Sequence, residues 1–263
     1  MNPILLAVII VSAIGLVAGI GLTVANKLMA VKKDEKAEAI LKVLPGANCG
    51  ACSFSGCSGY AAALATGKVK TNLCSVGGEA VAAEVCAILG MKPSAPGEKK
   101  TAAVMCRGTC SATEKRGDYR GMPSCKAAML IYGGAGSCVF GCIGLGDCVK
   151  ACEYGAIRVC DGAAAVDVDK CRACGKCVSE CPKKIISLVS VTSRPTVLCS
   201  NSDNGAKTRK VCTNGCIGCR MCAKVCENDA ITFDGGRAVI DRNKCIGCGK
   251  CEEACKMHCI VRI

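Results

Sequence analysis

Cys142-Ile-Gly-Leu145-Gly-Asp-Cys148-Val-Lys-Ala-Cys152 recurs 74 residues further on as Cys216-Ile-Gly-Cys219-Arg-Met-Cys222-Ala-Lys-Val-Cys226. In each copy 18 residues separate this block from a second one, Cys171, Cys174, Cys177, Cys181 and then Cys245, Cys248, Cys251, Cys255. The C-x2-C-x2-C-x3-C spacing is that of paired [4Fe–4S] cubes, in which three thiolates hold one cube and the fourth reaches its neighbour. A tight glycine-containing loop (Gly144, Gly218, Gly247) wraps three thiolates around a cube and points backbone N–H groups at its sulfides. The next helical turn aims the last thiolate away, toward the second cube. Zinc is the competing chemistry, but four thiolates so closely spaced do not easily close a single tetrahedron. The pattern is one of electron carriage.

Composition agrees. Twenty-eight cysteines in 263 residues is a density found in disulfide scaffolds or metal clusters. The spacing here is that of metal sites, and thiolate-bound clusters require a reducing compartment. With 3% aromatic residues and no Trp, each small domain has a thin side-chain core, so folding is expected to depend on cluster insertion. The formal charge of +13 counts every cysteine as neutral. Each cube with four thiolates carries about −2 when oxidised, and five of them bring the sum to roughly +3. With so few aromatics to stack on bases, nucleic acid is not an expected partner. Lipid headgroups or an acidic electron-carrier protein suit the remaining positive residues better.

Ile4 to Val24 is a run of 21 uncharged positions, about 31 Å as a helix against a bilayer core of roughly 30 Å. No basic residue precedes it, while Lys27, Lys32, Lys33 and Lys36 follow. The positive-inside rule places the N-terminus outside and everything after about residue 27 in the cytoplasm. A cleaved signal peptide is disfavoured by the missing basic n-region. Gly15 and Gly19 form a small-xxx-small face that could pack on another membrane helix. The span contains no Asp, Glu, Lys, Arg or His, so it reads as an anchor, with any ion path in another subunit.

A charged helix over Asp34–Lys42 leads to Cys49, Cys52, Cys57 and Cys74, a C-x2-C-x4-C-x16-C set suited to one further [4Fe–4S] site. A helix over Glu79–Leu89 carries Cys86, read as a buried small hydrophobe. Lys92–Lys100 reads as a linker from its Pro, Gly and charge content. Short strands are expected at Ala102–Met105, leading into Cys106, and at Thr196–Leu198, leading into Cys199. The fold class is α+β, with an N-terminal transmembrane helix (1–26), a small four-cysteine domain (27–91) and a connecting region (92–132). Two tandem two-cluster units follow, 133–190 and 205–263, joined by 191–204. Strand-like pieces at 156–159, 163–167, 230–233 and 237–240 support them.

The repeat breaks at Leu145, which stands where Cys219 stands in the second copy. One cube thus lacks a conventional ligand. Either it is a three-iron cluster on Cys142, Cys148 and Cys181, or Cys138, one turn upstream, supplies the fourth thiolate; Cys138 is the expected ligand, because it completes a four-thiolate set. Cys138 has a counterpart in Cys212, so a separate role for both stays open. The remaining sets are Cys152 with Cys171, Cys174 and Cys177; Cys216, Cys219 and Cys222 with Cys255; and Cys226 with Cys245, Cys248 and Cys251. Five [4Fe–4S] clusters are expected. A sixth could draw on Cys106, Cys110 and Cys125 with a distant fourth ligand, although the eight leftover cysteines, including Cys160 and Cys259, read better as buried reduced thiols. His258, the only histidine, reads as structural or solvated. No G-x-G-x-x-G after a strand and no Walker lysine motif is present, so nucleotide sites are not evident and no catalytic residue is expected.

The anchor joined to Gly46-Ala-Asn-Cys-Gly-Ala-Cys52, together with Cys138-Val-Phe-Gly-Cys-Ile-Gly-Leu-Gly-Asp-Cys148, resembles the B subunits of Rnf ion-translocating ferredoxin:NAD⁺ oxidoreductases over essentially the whole chain. The resemblance implies a single-pass cell-membrane subunit, cytoplasmic in its iron–sulfur part, working beside other membrane and flavoprotein subunits. Its partner would be a soluble ferredoxin as electron donor, with electrons passing toward NAD⁺ and the flow coupled to Na⁺ or H⁺ transport. Shorter family members carry one two-cluster unit, so 205–263 is an elaboration. An electron-delivery subunit of another membrane-associated hydrogenase or reductase is the alternative. A corrinoid-linked methyl-transfer protein shares a similar four-cysteine domain, but it needs a corrinoid domain and a barrel for which this chain has no room.

Overall fold

A computed structural model describes residues 3–28, 34–92 and 98–263, with the side chains of 5–8 and 26–28 outside that description. Helix α1 (Pro3–Leu28) is 26 residues long. Among the described residues no helix is long and apolar enough to cross a membrane. Large apolar side chains of α1 such as Val11, Leu16 and Leu22 face outward without a protein partner. Lys32, Lys33 and the middle of the expected linker lie outside the described residues.

Three helices build the small domain: α2 (Glu35–Val43), α3 (Cys57–Ala65) and α4 (Gly78–Leu89). Asp34 starts α2 by accepting the Lys36 N–H at 3.0 Å, the usual way an N-terminal turn satisfies a free donor. Ile40, Leu44, Tyr60, Leu64 and Val85 form the core. Tyr60 reaches through it: its hydroxyl donates to the Lys70 carbonyl at 2.8 Å and accepts the Leu73 N–H at 3.2 Å. Both bonds pin the loop that delivers Cys74. Burial raises this phenol to about 12. Cys86 is buried, as expected, against the Thr71 hydroxyl at 3.2 Å.

The rest of the chain is two copies of one α+β unit. The first holds β1 (Lys100–Val104), α5 (Cys125–Leu130), α6 (Asp147–Lys150), β2 (Ile157–Cys160), β3 (Ala163–Val166), α7 (Lys176–Glu180) and β4 (Ile186–Ser190). The second holds β5 (Pro195–Val197), α8 (Gly205–Val211), α9 (Met221–Lys224), β6 (Ile231–Asp234), β7 (Arg237–Ile240), α10 (Lys250–Glu253) and β8 (Ile260–Arg262). The hairpins β2–β3 and β6–β7 are antiparallel and begin at Ile157 and Ile231, the same 74-residue offset as the cysteines.

Each unit is closed by a strand from in front of it. β1 pairs antiparallel with β4, Ala102 opposite Leu188, and β5 pairs with β8, Thr196 opposite Val261. The segments 92–132 and 191–204, expected as connections, therefore contribute an edge strand to each unit, because the last strand of a repeat would otherwise leave its ladder unpaired. The cores are thin, built from aliphatic residues such as Ala102, Val104, Ala164 and Ile186 around the cysteines themselves.

Candidate iron–sulfur sites

Two glycines shape the cysteine loops of the units. Gly144 has φ +79 and Gly218 φ +64, and a Cβ at either would meet the carbonyl oxygen of Gly162 or Gly236 at 2.3 or 2.4 Å. The loop can therefore lie flat on the tip of its own hairpin only with glycine there. Just beyond each glycine come thiols that line a cavity, Cys148 in the first unit and Cys219 and Cys222 in the second.

Cavities of this kind recur in the units among the described residues. Cys152, Cys171, Cys174 and Cys177 line one of about 320 Å³. Cys226, Cys245, Cys248 and Cys251 line one of about 400 Å³. Cys216, Cys219, Cys222 and Cys255 line a third of about 320 Å³. These are the sets expected from spacing. Cys259 lines the third cavity as well, its sulfur 3.5 Å from that of Cys255. Hydrogen bonding to Cys259 lowers Cys255 to about 5 and Cys216 to about 6, and raises Cys259.

The fourth cavity, of about 400 Å³, departs from expectation: Cys142, Cys148 and Cys181 are joined by Cys125, and Cys138 does not line it. The cause lies in α5. Ser124 caps that helix, and Asp147, beside Cys148, accepts the Ser124 hydroxyl at 2.8 Å and the Lys126 N–H at 3.0 Å. Burial would raise the Asp147 carboxyl, but the Lys126 N–H and the Ser124 hydroxyl outweigh it and hold the group below the usual carboxylate range. Cys125 is thereby pinned, buried, at the place Leu145 leaves open. In the second unit the residue matching Asp147 is Met221, and Cys219 supplies the thiol locally. At the 74-residue offset Cys125 falls on Cys199, but that thiol lines a different cavity, so the repeat pattern does not reveal the place of Cys125.

The donor chemistry fits iron–sulfur cubes. Ligand sulfurs accept backbone N–H groups, as from Ala102 to Cys171 at 3.3 Å, Ala156 to Cys152 at 3.4 Å and Ala238 to Cys216 at 3.4 Å. Such bonds stabilise thiolate charge on a cluster. Burial raises Cys148 to about 12 and Cys177 and Cys222 to about 11, so these thiols hold their protons until iron displaces them. Among the described residues no three His, Cys, Asp or Glu side chains are grouped to hold a single metal ion.

In the small domain Cys52, Cys57 and Cys74 gather against its core. Asn48, at φ 45, accepts the Cys57 N–H at 2.8 Å and so closes the loop carrying Cys49 and Cys52. The domain meets the first unit at Ser75, whose hydroxyl lies 3.5 Å from the Ala173 carbonyl. Burial raises Cys174, and Cys49 lies close enough to add to that shift.

The expected trio of Cys106, Cys110 and Cys125 is not brought together. Cys125 lines the cavity just described, Cys110 is exposed, and Cys106 lies elsewhere. Cys160 is also exposed rather than buried. His258 is exposed, with its carbonyl accepting a bond from Arg107 at 2.8 Å.

Cavities lined by at least four thiols, repeated in two ferredoxin-like units, define a multi-cluster iron–sulfur electron-transfer protein. Family models agree: an Fe-S cluster domain matches residues 44–76, a 4Fe-4S binding domain 164–187 and a 4Fe-4S dicluster domain 215–259. The chain is 42% identical to the B subunit of the Na⁺-translocating ferredoxin:NAD⁺ oxidoreductase complex of Acetobacterium woodii, over 99% of this chain and 78% of that one. It is 38% identical to the B subunit of the proton-translocating ferredoxin:NAD⁺ oxidoreductase complex of Clostridium ljungdahlii (92% and 86% covered). Identity to the B subunit of the ion-translocating oxidoreductase complex of Methanosarcina acetivorans is 34% (90% and 89% covered). The chain belongs to this family, the B subunits of Rnf-type ion-translocating oxidoreductase complexes.

Proposed function

We propose that this subunit is the membrane-anchored electron entry of its complex, taking electrons from a reduced acidic ferredoxin at the second unit. From there they pass through the first unit and the small domain toward NAD⁺ at a separate flavoprotein, with the flow coupled to Na⁺ or H⁺ translocation. Five four-cysteine sets hold [4Fe–4S] clusters: the four cavity sets, with Cys125 rather than Cys138 completing the fourth, and Cys49, Cys52, Cys57 and Cys74. When bound, each cluster supplies one-electron chemistry at a potential tuned by hydrogen bonds and exposure.

One observation carries the entry point. Cys219 and Cys248, one in each cavity of the second unit, are exposed, whereas no cysteine lining the two cavities of the first unit is. A docked carrier thus comes nearest to the second unit. Its charge is suitable, although not every basic residue there is available. Lys250 pairs with Glu227, Arg262 with Glu252 and Arg237 with Asp234, and Arg242 is engaged by Ser190, Thr192 and Thr196. Arg220, Lys224, Lys244 and Lys256 are exposed and make no ion pair among the described residues.

Electrostatic steering of this kind raises association rates by about 10- to 1,000-fold at low ionic strength. Reversing these four charges to Glu in the full chain is expected to slow stopped-flow reduction by ferredoxin by about tenfold. The slowing should vanish at high salt, where screening removes the steering. A rate that ignores both salt and charge reversal places entry elsewhere.

The anchor reading rests on the uncharged run in α1 and its outward-facing apolar side chains. Removing residues 1–28, which contain no cysteine, is expected to release the protein from membranes with its iron content unchanged. Persistence in a salt-washed membrane fraction would rule out a single anchor.

A further inference from the structure

A fifth thiol-lined cavity lies between the two units, where neither repeat places one. Cys106, Cys138, Cys199 and Cys212 line it, beside Cys142, which also lines a cavity of the first unit, so that like each of the four cavities inside the units it gathers at least four thiols. We infer that these four cysteines hold a sixth [4Fe–4S] cluster, shared by the two units. The inference rests on the reading of the other cavities as cube sites.

Each unit gives two of the four sulfurs, in matching positions. Cys138 and Cys212 each stand four residues before a cube ligand, Cys142 and Cys216, in segments that share the pattern Cys-x2-Gly-Cys. Gly141 and Gly215 in these segments press against Cys138 and Cys212, with a Cβ there meeting the Cys138 sulfur at 3.7 Å or the Cys212 Cβ at 3.5 Å. Cys106 and Cys199 follow the closing strands β1 and β5 and face each other in an antiparallel bridge. At Gly108 a Cβ would lie 3.4 Å from the Cys106 sulfur and 3.6 Å from the Cys212 sulfur, so thiols of different units converge on that loop.

The sulfurs are hydrogen-bonded as cluster ligands are. Cys106 accepts the Cys142 N–H at 3.3 Å and the Gly108 N–H at 3.4 Å. Cys199 accepts the Cys216 N–H at 3.3 Å, and the Asn201 side-chain amide lies 3.5 Å from the Cys138 sulfur. The cavity therefore adjoins a cube ligand of each unit, Cys142 on one side and Cys216 on the other. Bonds between the units hold it shut: Ser200 to the Met105 and Phe140 carbonyls, Asn214 to Arg107, and Thr113 to Val211 at 2.6 Å. None of the four thiols is exposed. On iron binding each releases its proton to solvent.

The matched family ranges, 44–76, 164–187 and 215–259, include none of these residues. A single zinc ion is the rival occupant. It needs thiolates converging at about 2.3 Å from one centre, and no such group occurs among the described residues.

The test is iron, sulfide and zinc analysis of the full-length chain in detergent after anaerobic reconstitution, with EPR of the reduced protein. The wild-type chain is expected to carry about 24 irons, and the Cys138→Ala/Cys212→Ala variant about four fewer. Cys160→Ala, an exposed thiol lining none of these cavities, should match wild type. A wild-type count of about 20 irons, with or without one zinc, overturns the sixth cluster while leaving the other sites standing. That count needs no variant to fold, so it decides even if the double variant loses more than one cluster. Near-zero iron in the wild type would instead overturn the cube reading as a whole.

Discussion

Cys125→Ala is expected to convert the cube of Cys142, Cys148 and Cys181 to a three-iron form or to empty the site. The oxidised variant should then show a three-iron EPR signal absent from wild type, or a loss of about four irons. The expectation follows from place rather than spacing. Cys125 is buried in that cavity, and Asp147 holds it there through Ser124 and the Lys126 N–H. Cys138→Ala should leave this cube alone, since its sulfur lies in the cavity between the units. Restoring the missing repeat residue gives the sharper test: Leu145→Cys in the Cys125→Ala background should recover the four-iron site, because Cys219 fills that place in the second unit. If Cys125→Ala keeps a wild-type spectrum, Cys125 is not a ligand.

Gly218→Ala is expected to cost the second unit one cube, and Gly144→Ala the first. Left-handed backbone costs a residue with a Cβ about 1–2 kcal/mol. The larger effect is steric, because the new Cβ would sit 2.4 Å from the Gly236 oxygen or 2.3 Å from that of Gly162, against ordinary contacts of 3.4–4 Å. Backbone cannot swing away as a flexible side chain would, so the loop must lift off its hairpin by about 1 Å. Displacement on that scale spoils a site whose ligands need their geometry held to within about 0.5 Å. Iron content after reconstitution should fall by about four per substituted unit. Gly67→Ala, with φ +69 but nothing within 4 Å of its Cβ, separates the two causes, since it should keep all its iron. Equal iron in Gly218→Ala and wild type would show that the loop has another way to close.

The helices and hairpins close to the cysteine motifs were readable in the sequence. The charged run from Asp34 to Lys42 marked α2, and the strands at 157–160, 163–166, 231–234 and 237–240 fall within a residue or so of their expected places. The edge strands β1 and β5 were visible as strands, but not their partners, since pairing across more than 60 residues leaves no periodic trace. The free basic surface of the second unit is likewise decided by the fold. Lys250, Arg262, Arg237 and Arg242 look free in a list of charges and are engaged in the fold.

The close-set cysteines of one loop, such as Cys171, Cys174 and Cys177 or Cys216, Cys219 and Cys222, are written in the order of residues. There the covalent chain limits the distance between thiolates, so spacing is geometry. The remaining thiols find their places only once the chain is folded. Cys125 reaches its cavity because a capped helix is tethered to Asp147, and Cys106, Cys138, Cys199 and Cys212 meet because two repeats pack face to face. No count of intervening residues encodes either approach, because between distant segments it is packing and hydrogen bonding, not chain length, that sets the separation.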